Sequence, residues 1–428
     1  MPFSVSNARH FRGELRVPGD KSISHRALIL GAIAEGEQIV DGLAKSADIE
    51  TTARCLRALG VTITESEGGR VNVRGGGVVT GATLDAGNSG TTARLLCGLV
   101  AGLGASCTID GDVSLRERPM RRVTNPLARM GADIDTNENG GLPIHIKAAP
   151  LRGIRYELPV ASAQVKSALL IAGLFASGET TVVEPVPTRD HTERMLTAMG
   201  TEVRRHGRAV SIQGGQRPRG VHITVPGDFS SAAFFIAAAA GVPGSRITVR
   251  GCGVNPTRTG MLDIITEMGC RVETVNKRDA FGNAGGEPVA DVVIYESSLR
   301  AITIDDPVRI AAVIDEIPVL AVLATRAAGT TMIRSAGELR VKESDRIKAT
   351  AENLRILGAD VEEFDDGLAV SGPVQLRGGN VSSFGDHRMA MAMAVAGLFG
   401  EGETVIDDAT AVDISYPGFF DDLKTLSD

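Results

Sequence analysis

The sequence predicts an α/β chain of two similar lobes, each built from three copies of one repeat with buried helices. Three observations carry this. A helical stretch closed by Leu-Gly or Met-Gly and followed by a short strand recurs as ARCLRALGVTIT, NPLARMGADID, ERMLTAMGTEV, MLDIITEMGCRVE and AENLRILGADVE. A second helical stretch, rich in Ala and Leu, interleaves with it as HRALILGAIAEGEQIV, TARLLCGLVAGLGASCTI, KSALLIAGLFASGETTVV, AAFFIAAAAGVPGSRITV, VLAVLATRAAGTTMIR and MAMAVAGLFGEGETVI. VPGD occurs twice, at 17–20 and 225–228, each time before one of the Ala-rich helices.

Each element follows from chain chemistry. Gly60, Gly131, Gly200, Gly269 and Gly358 close the first kind of helix, where a left-handed residue is wanted. The β-branched residues that follow suit strands. The Ala-rich helices are apolar nearly all round, which marks helices inside a domain; the Leu-Gly helices carry charges on one face and belong outside. The repeat is therefore helix, strand, helix, strand, strand in roughly 70 residues, six times over. Three copies closing on their own apolar helices make one globular lobe. VPGD precedes copies one and four, so each is read as a crossing between lobes. Residues 1–18 then join 227–428 in lobe one, and 19–226 form lobe two.

Length and composition agree. A chain of 428 residues exceeds one ordinary core. Its net charge of −7, with no basic stripe, argues against nucleic acid, and its longest apolar runs are too short to span a bilayer. Cys55, Cys97, Cys107, Cys252 and Cys270 show no CxxC pair and the histidines no ligand spacing, so neither a disulfide framework nor a metal site is expected. The N-terminus lacks the apolar core of a signal peptide. Composition leads to the expectation of a cytoplasmic protein; once the motifs and the family resemblance are added, the partners expected are small anionic molecules, met by a monomer.

Polar clusters keep falling at the N-terminal ends of the Ala-rich helices. PGDKSISHRAL places Lys21, Ser22 and Arg26 there; Lys21 and Arg26 are about a turn apart and can face one ligand. GDKS is not a P-loop, since Glu14 stands where the first Gly is needed. DAGNSGTTARLL brings Asn88 and Gly90, ASAQVKSALL brings Ser162, Ala163, Gln164 and Lys166, and IDEIPVL brings Asp315 and Glu316. FGDHRMAM brings Asp386, His387 and Arg388. SLRERPMRRV puts Arg116, Arg118, Arg121 and Arg122 in one loop, with Arg118 restricted by Pro119; PTRDHTERML adds Arg189. LRVKESDRI packs Lys342, Glu343, Asp345 and Arg346 closely, with Lys342 and Arg346 on one helical face. Taken singly, these clusters could be caps, solvated loops or surface ion pairs. Caps do not explain Lys21, Arg26, Lys166 and Arg388. Helix origins that face one another across two closing lobes would gather anions.

In the order PGDKSISHRAL, GNSGTT, RERPM, SAQVKSALL, DEIP, RVKESDRI and GDHRMAMA, these motifs resemble the 5-enolpyruvylshikimate-3-phosphate synthase family of enolpyruvyl transferases, along almost the whole chain. The resemblance implies two lobes of three βαβαββ units, an inside-out α/β barrel in each, and enolpyruvyl transfer from phosphoenolpyruvate to the 5-hydroxyl of shikimate 3-phosphate with release of phosphate. It implies no metal or organic cofactor. Carried over motif by motif, Lys21, Ser22, Arg26, Ser162, Ala163, Gln164, Asp315 and Lys342 hold shikimate 3-phosphate. Lys21, Asn88, Gly90, Arg118, Gln164, Arg346 and Arg388 hold phosphoenolpyruvate. Asp315 resembles the base at the 5-hydroxyl and Glu343 the proton donor to the methylene carbon, with Lys342 and Lys21 as competitors for that role, since a carboxylic acid at neutral pH needs burial to keep its proton.

Two departures stand out. Some relatives carry a lysine before the final aromatic–Pro pair, where VDISYPGFF has Ile414 and Ser415. Arg189 lies where other relatives place a Ser and a Tyr, and is read as a phosphate or carboxylate clamp. Gly90 stands where glyphosate-tolerant members can carry Ala, so glyphosate inhibition is expected. The related enzymes acting on UDP-N-acetylglucosamine place a reactive Cys shortly before the Arg-Pro pair; this chain has Val113 and Ser114 there. A non-catalytic anion-binding protein is the other reading, and it would not need Asp315, Lys342 and Glu343 together.

Overall fold

A computed structural model describes residues 1–76, 79–282 and 286–427. The chain divides into two units: Met1–Pro18, Gly227–Arg278 and Pro288–Asp428 form unit 1, and Gly19–Pro226 with Asp279–Glu287 form unit 2. Each unit has its own hydrophobic core.

The Ala-rich segments are helices Lys21–Gly31, Gly90–Leu103 and Ala163–Gly173 in unit 2, and Phe229–Gly241, Ile317–Ala324 and His387–Phe399 in unit 1, numbered first to sixth buried helix below. Nearly every residue beyond their first turns is buried, so their all-round apolar character places them inside each unit. The charged helices Ala47–Ala58, Arg121–Arg129, His191–Ala198, Gly260–Glu267 and Arg346–Ile356 each carry exposed residues. Their closing glycines, Gly60, Gly131, Gly200, Gly269 and Gly358, all have φ between 82° and 105°, the left-handed cap that the repeat demands.

The βαβαββ order is plain in the second repeat. Ala82–Asp85 pairs in parallel with Cys107–Asp110 across the second buried helix, and Cys107–Asp110 then pairs antiparallel with Ile144–Lys147, beside Asp133–Thr136. The third repeat repeats this with Arg155–Glu157, Glu179–Val183, Ala209–Gln213 and Val203–His206. The first repeat borrows its parallel edge strand, His222–Thr224, from the far end of unit 2. Unit 1 also closes by borrowing: Arg12–Leu15 pairs in parallel with Arg246–Gly253, and Phe3–Ser6 pairs antiparallel with Glu401–Ile406. These two short strands tie the N-terminal residues to unit 1.

Both VPGD segments end in an N-cap. The Asp20 carboxylate accepts from the Ile23 N–H at 2.8 Å, and that of Asp228 from the Ser230 N–H at 2.8 Å. The Asp20 N–H also donates to the Pro226 carbonyl at 2.7 Å, and the Asp228 N–H to the Pro18 carbonyl at 2.8 Å. The repeated motif is thus a reciprocal pair, each copy binding the backbone of the other.

One segment departs from the expected division, which placed all of 227–428 in lobe one. Asp279–Glu287, at the end of strand Arg271–Asp279, groups with unit 2. Phe281 is buried in the unit 2 core, Glu287 faces His191 Nδ1 with both carboxylate oxygens at 3.1 Å, and Arg194 donates to the Gly286 carbonyl at 2.8 Å.

A Cβ on Gly19 would sit 2.0 Å from the Gly42 carbonyl oxygen and 3.2 Å from Val225 Cγ1. Backbone cannot yield as a flexible side chain can. Gly19→Ala is expected to cost about 1–3 kcal/mol or more, read as a melting temperature several degrees below that of the parent chain.

Candidate active site

The three helix origins of unit 2 are wired to one another. Arg26, on the first buried helix, donates from Nη2 to Ser167 Oγ on the third at 2.8 Å and from Nε to Thr192 Oγ1 at 2.7 Å. Gln164, near the start of the third, donates to Thr91 Oγ1 on the second at 2.9 Å and accepts from Arg94 Nη1 at 2.8 Å. A chain of short bonds runs from His25 Nδ1 to Thr52 Oγ1, to Thr92 Oγ1 and to Ser89 Oγ, each at 2.7 Å. Ser89 and Ser162 cap the second and third buried helices. Side chains at 21, 22, 26, 88–90 and 162–164 therefore share one end of unit 2, where the helix dipoles add positive potential.

Arg26 is the informative residue of this half. Its side chain is buried, 3% exposed, yet its three hydrogen bonds go to neutral oxygens: Thr192 Oγ1, Ser167 Oγ and the Ser22 carbonyl. No carboxylate among the described residues forms an ion pair with it. Burial pushes its guanidinium down to about 10; Glu193, Asp20 and Glu287 offset this from a distance and Arg189 adds to it. A buried cation with only neutral partners carries a large desolvation cost, which an anionic ligand would offset.

The other unit 2 candidates are held in place. Lys21 ion-pairs with Asp48 at 3.0 Å, so in this structure it and Arg26 point to different partners. Arg118 donates to Asn88 Oδ1 at 2.7 Å, and Asn88 donates to Asp112 at 2.7 Å. A Cβ on Gly90 would lie 2.7 Å from Arg94 Nη1 and 3.4 Å from Arg118 Nη1, so the missing side chain leaves room for both guanidiniums. Arg189 is half-buried in the loop before helix His191–Ala198. The expectation of one arginine loop at 114–123 is corrected. Arg116 lies in the short helix Val113–Glu117 and pairs with Asp110 at 2.6 Å, and Arg121 and Arg122 open helix Arg121–Arg129. Arg118 stands between the two in extended backbone, as a residue before proline should.

In unit 1, Asp315 sits within reach of three arginines. Arg346 Nη1 is at 3.4 Å, Arg388 Nη2 at 3.7 Å and Arg258 Nη1 at 4.0 Å; Arg388 Nη1 also donates to the Asp315 carbonyl at 3.0 Å. Arg388 is the second residue of the sixth buried helix, Glu316 holds the N-cap position of the fifth without a side-chain capping bond, Arg388 Nη1 lies 3.8 Å from Glu316, and Ser230 on the fourth donates to Glu316. The three helix origins of unit 1 therefore also come together.

Arg346 is 1% exposed and binds Asp386 at 2.7 Å and Glu343 at 2.7 Å. Burial pushes its guanidinium down, but Asp386, Glu343 and Asp315 more than reverse this and hold it above the usual arginine range. Asp386 mirrors it: burial pushes its carboxyl up, and Arg346 and His387 bring it below the usual range. The reading of Lys342 and Arg346 as one helical face is corrected. A 3-10 turn ends at Val341, Lys342 is extended, and Asp345 caps a helix that begins only at Arg346. Lys342 is half-buried and makes no hydrogen bond or ion pair among the described residues.

Sequence reasoning missed Arg258, Arg94 and Asp48. Arg258 is buried and ties Asp228, at 3.0 Å, and Ser230, at 2.7 Å, to the Asp315 cluster. It stands just before the N-cap of the outer helix Gly260–Glu267, away from the buried-helix origins where the sequence pattern looks. Asp48 had a signal, an acid in the first turn of a helix, but dipole complementation accounts for that. All five cysteines are buried and none is in a disulfide; Cys107 lies in a strand and burial pushes its thiol up, which does not suit a nucleophile. Residues 409–418 hold no cation, and Tyr416 donates to Asp422 at 2.6 Å instead. No helix of the described residues is long and apolar enough to cross a membrane.

Each α/β unit gathers the polar, cation-bearing origins of its own three buried helices, an arrangement suited to small anions, and the comparisons give the family, one of transferases. The family model for EPSP synthase (3-phosphoshikimate 1-carboxyvinyltransferase) matches residues 5–423. A 3-phosphoshikimate 1-carboxyvinyltransferase of Desulforudis audaxviator is 51% identical, covering 100% of this chain and 99% of its own. One of Brevibacillus brevis is 48% identical, covering 99% of each. The solved EPSP synthase of Acinetobacter baumannii superposes with a TM-score of 0.89 at 41% identity, over 100% of this chain and 98% of that one. The chain belongs to the EPSP synthase family.

His25 makes a pH prediction. Burial pushes its imidazole down to about 3, with Asp48 opposing and Lys21 and Arg26 assisting. The unfolded chain takes up this proton near the ordinary value of about 6.5. Between the two values the unfolded state binds more protons, so stability falls as pH falls, by about 1.4 kcal/mol per pH unit from this residue. Thermal melts from pH 7 to pH 4 should show a shallower loss in His25→Asn than in the parent.

Proposed function

We propose that the protein transfers the enolpyruvyl group of phosphoenolpyruvate to the 5-hydroxyl of shikimate 3-phosphate and releases phosphate, a step of aromatic amino acid biosynthesis. In net terms a C–O bond to phosphate breaks, a C–O bond to the acceptor oxygen forms, and the hydroxyl proton leaves with the products. The observation that carries this reading is Arg26, a buried cation with neutral partners at the meeting of three helix origins, in a chain of this family.

Lys21, Ser22, Arg26, Ser162, Ala163, Gln164 and Arg189 bind shikimate 3-phosphate, together with Asp315 and Lys342. Asn88, Gly90, Arg118, Arg346 and Arg388 bind phosphoenolpyruvate, joined by Lys21 and Gln164. Geometry supports these roles: Arg118 is aimed by Asn88, Gln164 by Arg94, and Arg346 by Asp386. Guanidinium forks suit carboxylate and phosphoryl groups. Asp315 is the base at the 5-hydroxyl, its position set by Arg258, Arg346 and Arg388. Glu343 or Lys342 delivers the proton to the methylene carbon; Lys342 has its ammonium uncommitted to any described residue. Most of the rate enhancement is expected from orientation and charge stabilisation by residues already held in place. The protein acts in the cytoplasm, as a monomer, without a metal or organic cofactor; five cysteines outside any disulfide suit a reducing compartment.

The direct test is phosphate release from purified protein with both substrates, and with each omitted in turn. Release without shikimate 3-phosphate, or none with both, would overturn the reading. Asp315→Asn should lower kcat by about 10² to 10⁴-fold and leave shikimate 3-phosphate binding measurable by calorimetry. A pure binding protein would show no turnover to lose.

Glyphosate should compete with phosphoenolpyruvate. In Gly90→Ala the new methyl displaces Arg94 and crowds Arg118. KM for phosphoenolpyruvate is expected to rise roughly tenfold, about 1.4 kcal/mol, with the inhibition constant of glyphosate rising at least as far.

A further inference from the structure

Lys166 is wholly buried on the third buried helix, two residues after Gln164, and the roles above leave it without a task. Its ammonium meets Glu184 Oε1 at 3.0 Å, Glu193 Oε1 at 2.7 Å and the Thr188 carbonyl at 3.5 Å. All three partners lie in one stretch of chain. Glu184 follows strand Glu179–Val183, Thr188 is in the loop, and Glu193 is in the first turn of helix His191–Ala198. Glu184 Oε1 also accepts from the Thr188 N–H at 3.0 Å and from the Thr188 hydroxyl. Arg205 closes the cluster from strand Val203–His206, 3.2 Å from Glu193 and 3.8 Å from Glu184. Two cations and two carboxylates balance.

One ammonium thus clamps the start, middle and end of the loop that carries Arg189. The same helix end presents Thr192, which accepts from Arg26 and donates to Ser167 Oγ at 2.7 Å, one residue after Lys166. A loop held this way at its start, middle and end loses its freedom before any ligand arrives, and such preorganisation strengthens binding.

We propose that Lys166 is a positioning residue for shikimate 3-phosphate: through Glu184, Glu193 and Thr188 it sets where Arg189 and the Thr192–Arg26 pair meet the substrate. This rests on the function proposed above. Lys166→Met alone strands two buried carboxylates with one arginine and can fail to fold. The double variant Lys166→Met with Glu184→Gln leaves Arg205 and Glu193 balanced and keeps an acceptor for Thr188. Its melting transition is read first and its steady-state kinetics second. The expected result is a KM for shikimate 3-phosphate raised about tenfold or more, with KM for phosphoenolpyruvate moved less than about threefold, and the loss falling on KM rather than kcat. In an Arg189→Ala background the same double change should add little, because the loop no longer has a cation to aim. An unchanged KM for shikimate 3-phosphate, equal shifts in both KM values, or full additivity with Arg189→Ala would overturn the proposal. If the parent chain itself releases no phosphate from the two substrates, the function falls and this role with it; if the parent turns over and the variant matches it, the role alone falls.

Discussion

A guanidinium taken out of water must find negative charge, and this chain meets that demand in two opposite ways. Arg346 is buried and surrounded by Asp386, Glu343 and Asp315. Arg26 is buried as deeply and has hydroxyls and a carbonyl. The first is a settled ion network that fixes a carboxylate, Asp315, in position. The second is an unsettled one, stable because its neighbours supply good hydrogen bonds, and open to an anion because they supply no charge. One fold pattern, a buried helix with a polar origin, supports both uses.

The two clusters differ in balance as well. Around Asp315, the carboxylates Asp228, Asp315, Glu316, Glu343 and Asp386 outnumber Arg258, Arg346 and Arg388. Arg258, Arg346 and Arg388 are therefore restrained by carboxylates of their own unit, and Lys342 makes no ion pair among the described residues. In unit 2, Arg26 differs in its contacts: its hydrogen bonds go to neutral oxygens while Glu193, Asp20 and Glu287 act on it without an ion pair, and Lys21, Arg118 and Lys166 each have an acidic or amide partner. Net charge over the whole chain, which is negative, says nothing about either environment. Local desolvation and the sign of the nearest few groups decide what can bind.

Much of this was legible along the chain because the signals are local. A helix that is apolar all round can only be buried, a glycine after Leu or Met closes a helix, and a repeated VPGD marks a repeated turn. The motif residues could be placed at helix origins for the same reason. Other features resisted. The segment Asp279–Glu287 carries no repeated motif, and its place in unit 2 depends on Phe281 joining that core and on Glu287 and Gly286 meeting His191 and Arg194, 96 and 92 residues away in sequence. Arg258 and Asp48 matter through residues distant in sequence. The helical pairing of Lys342 with Arg346 failed because Asp345 caps the helix one residue too late for it.

The sequence by itself determined the number and kind of repeats, the burial of six helices, the placing of polar residues at their starts and the family. Periodicity, caps and short motifs are properties of neighbouring residues, and they survive reading in one dimension. Only the tertiary structure decided which cation is balanced and which is not, that Lys166 grips the Arg189 loop, and that a second segment of chain belongs to unit 2. Those outcomes depend on which groups share a desolvated volume, and residues 20 to 170 positions apart are brought into one by packing alone.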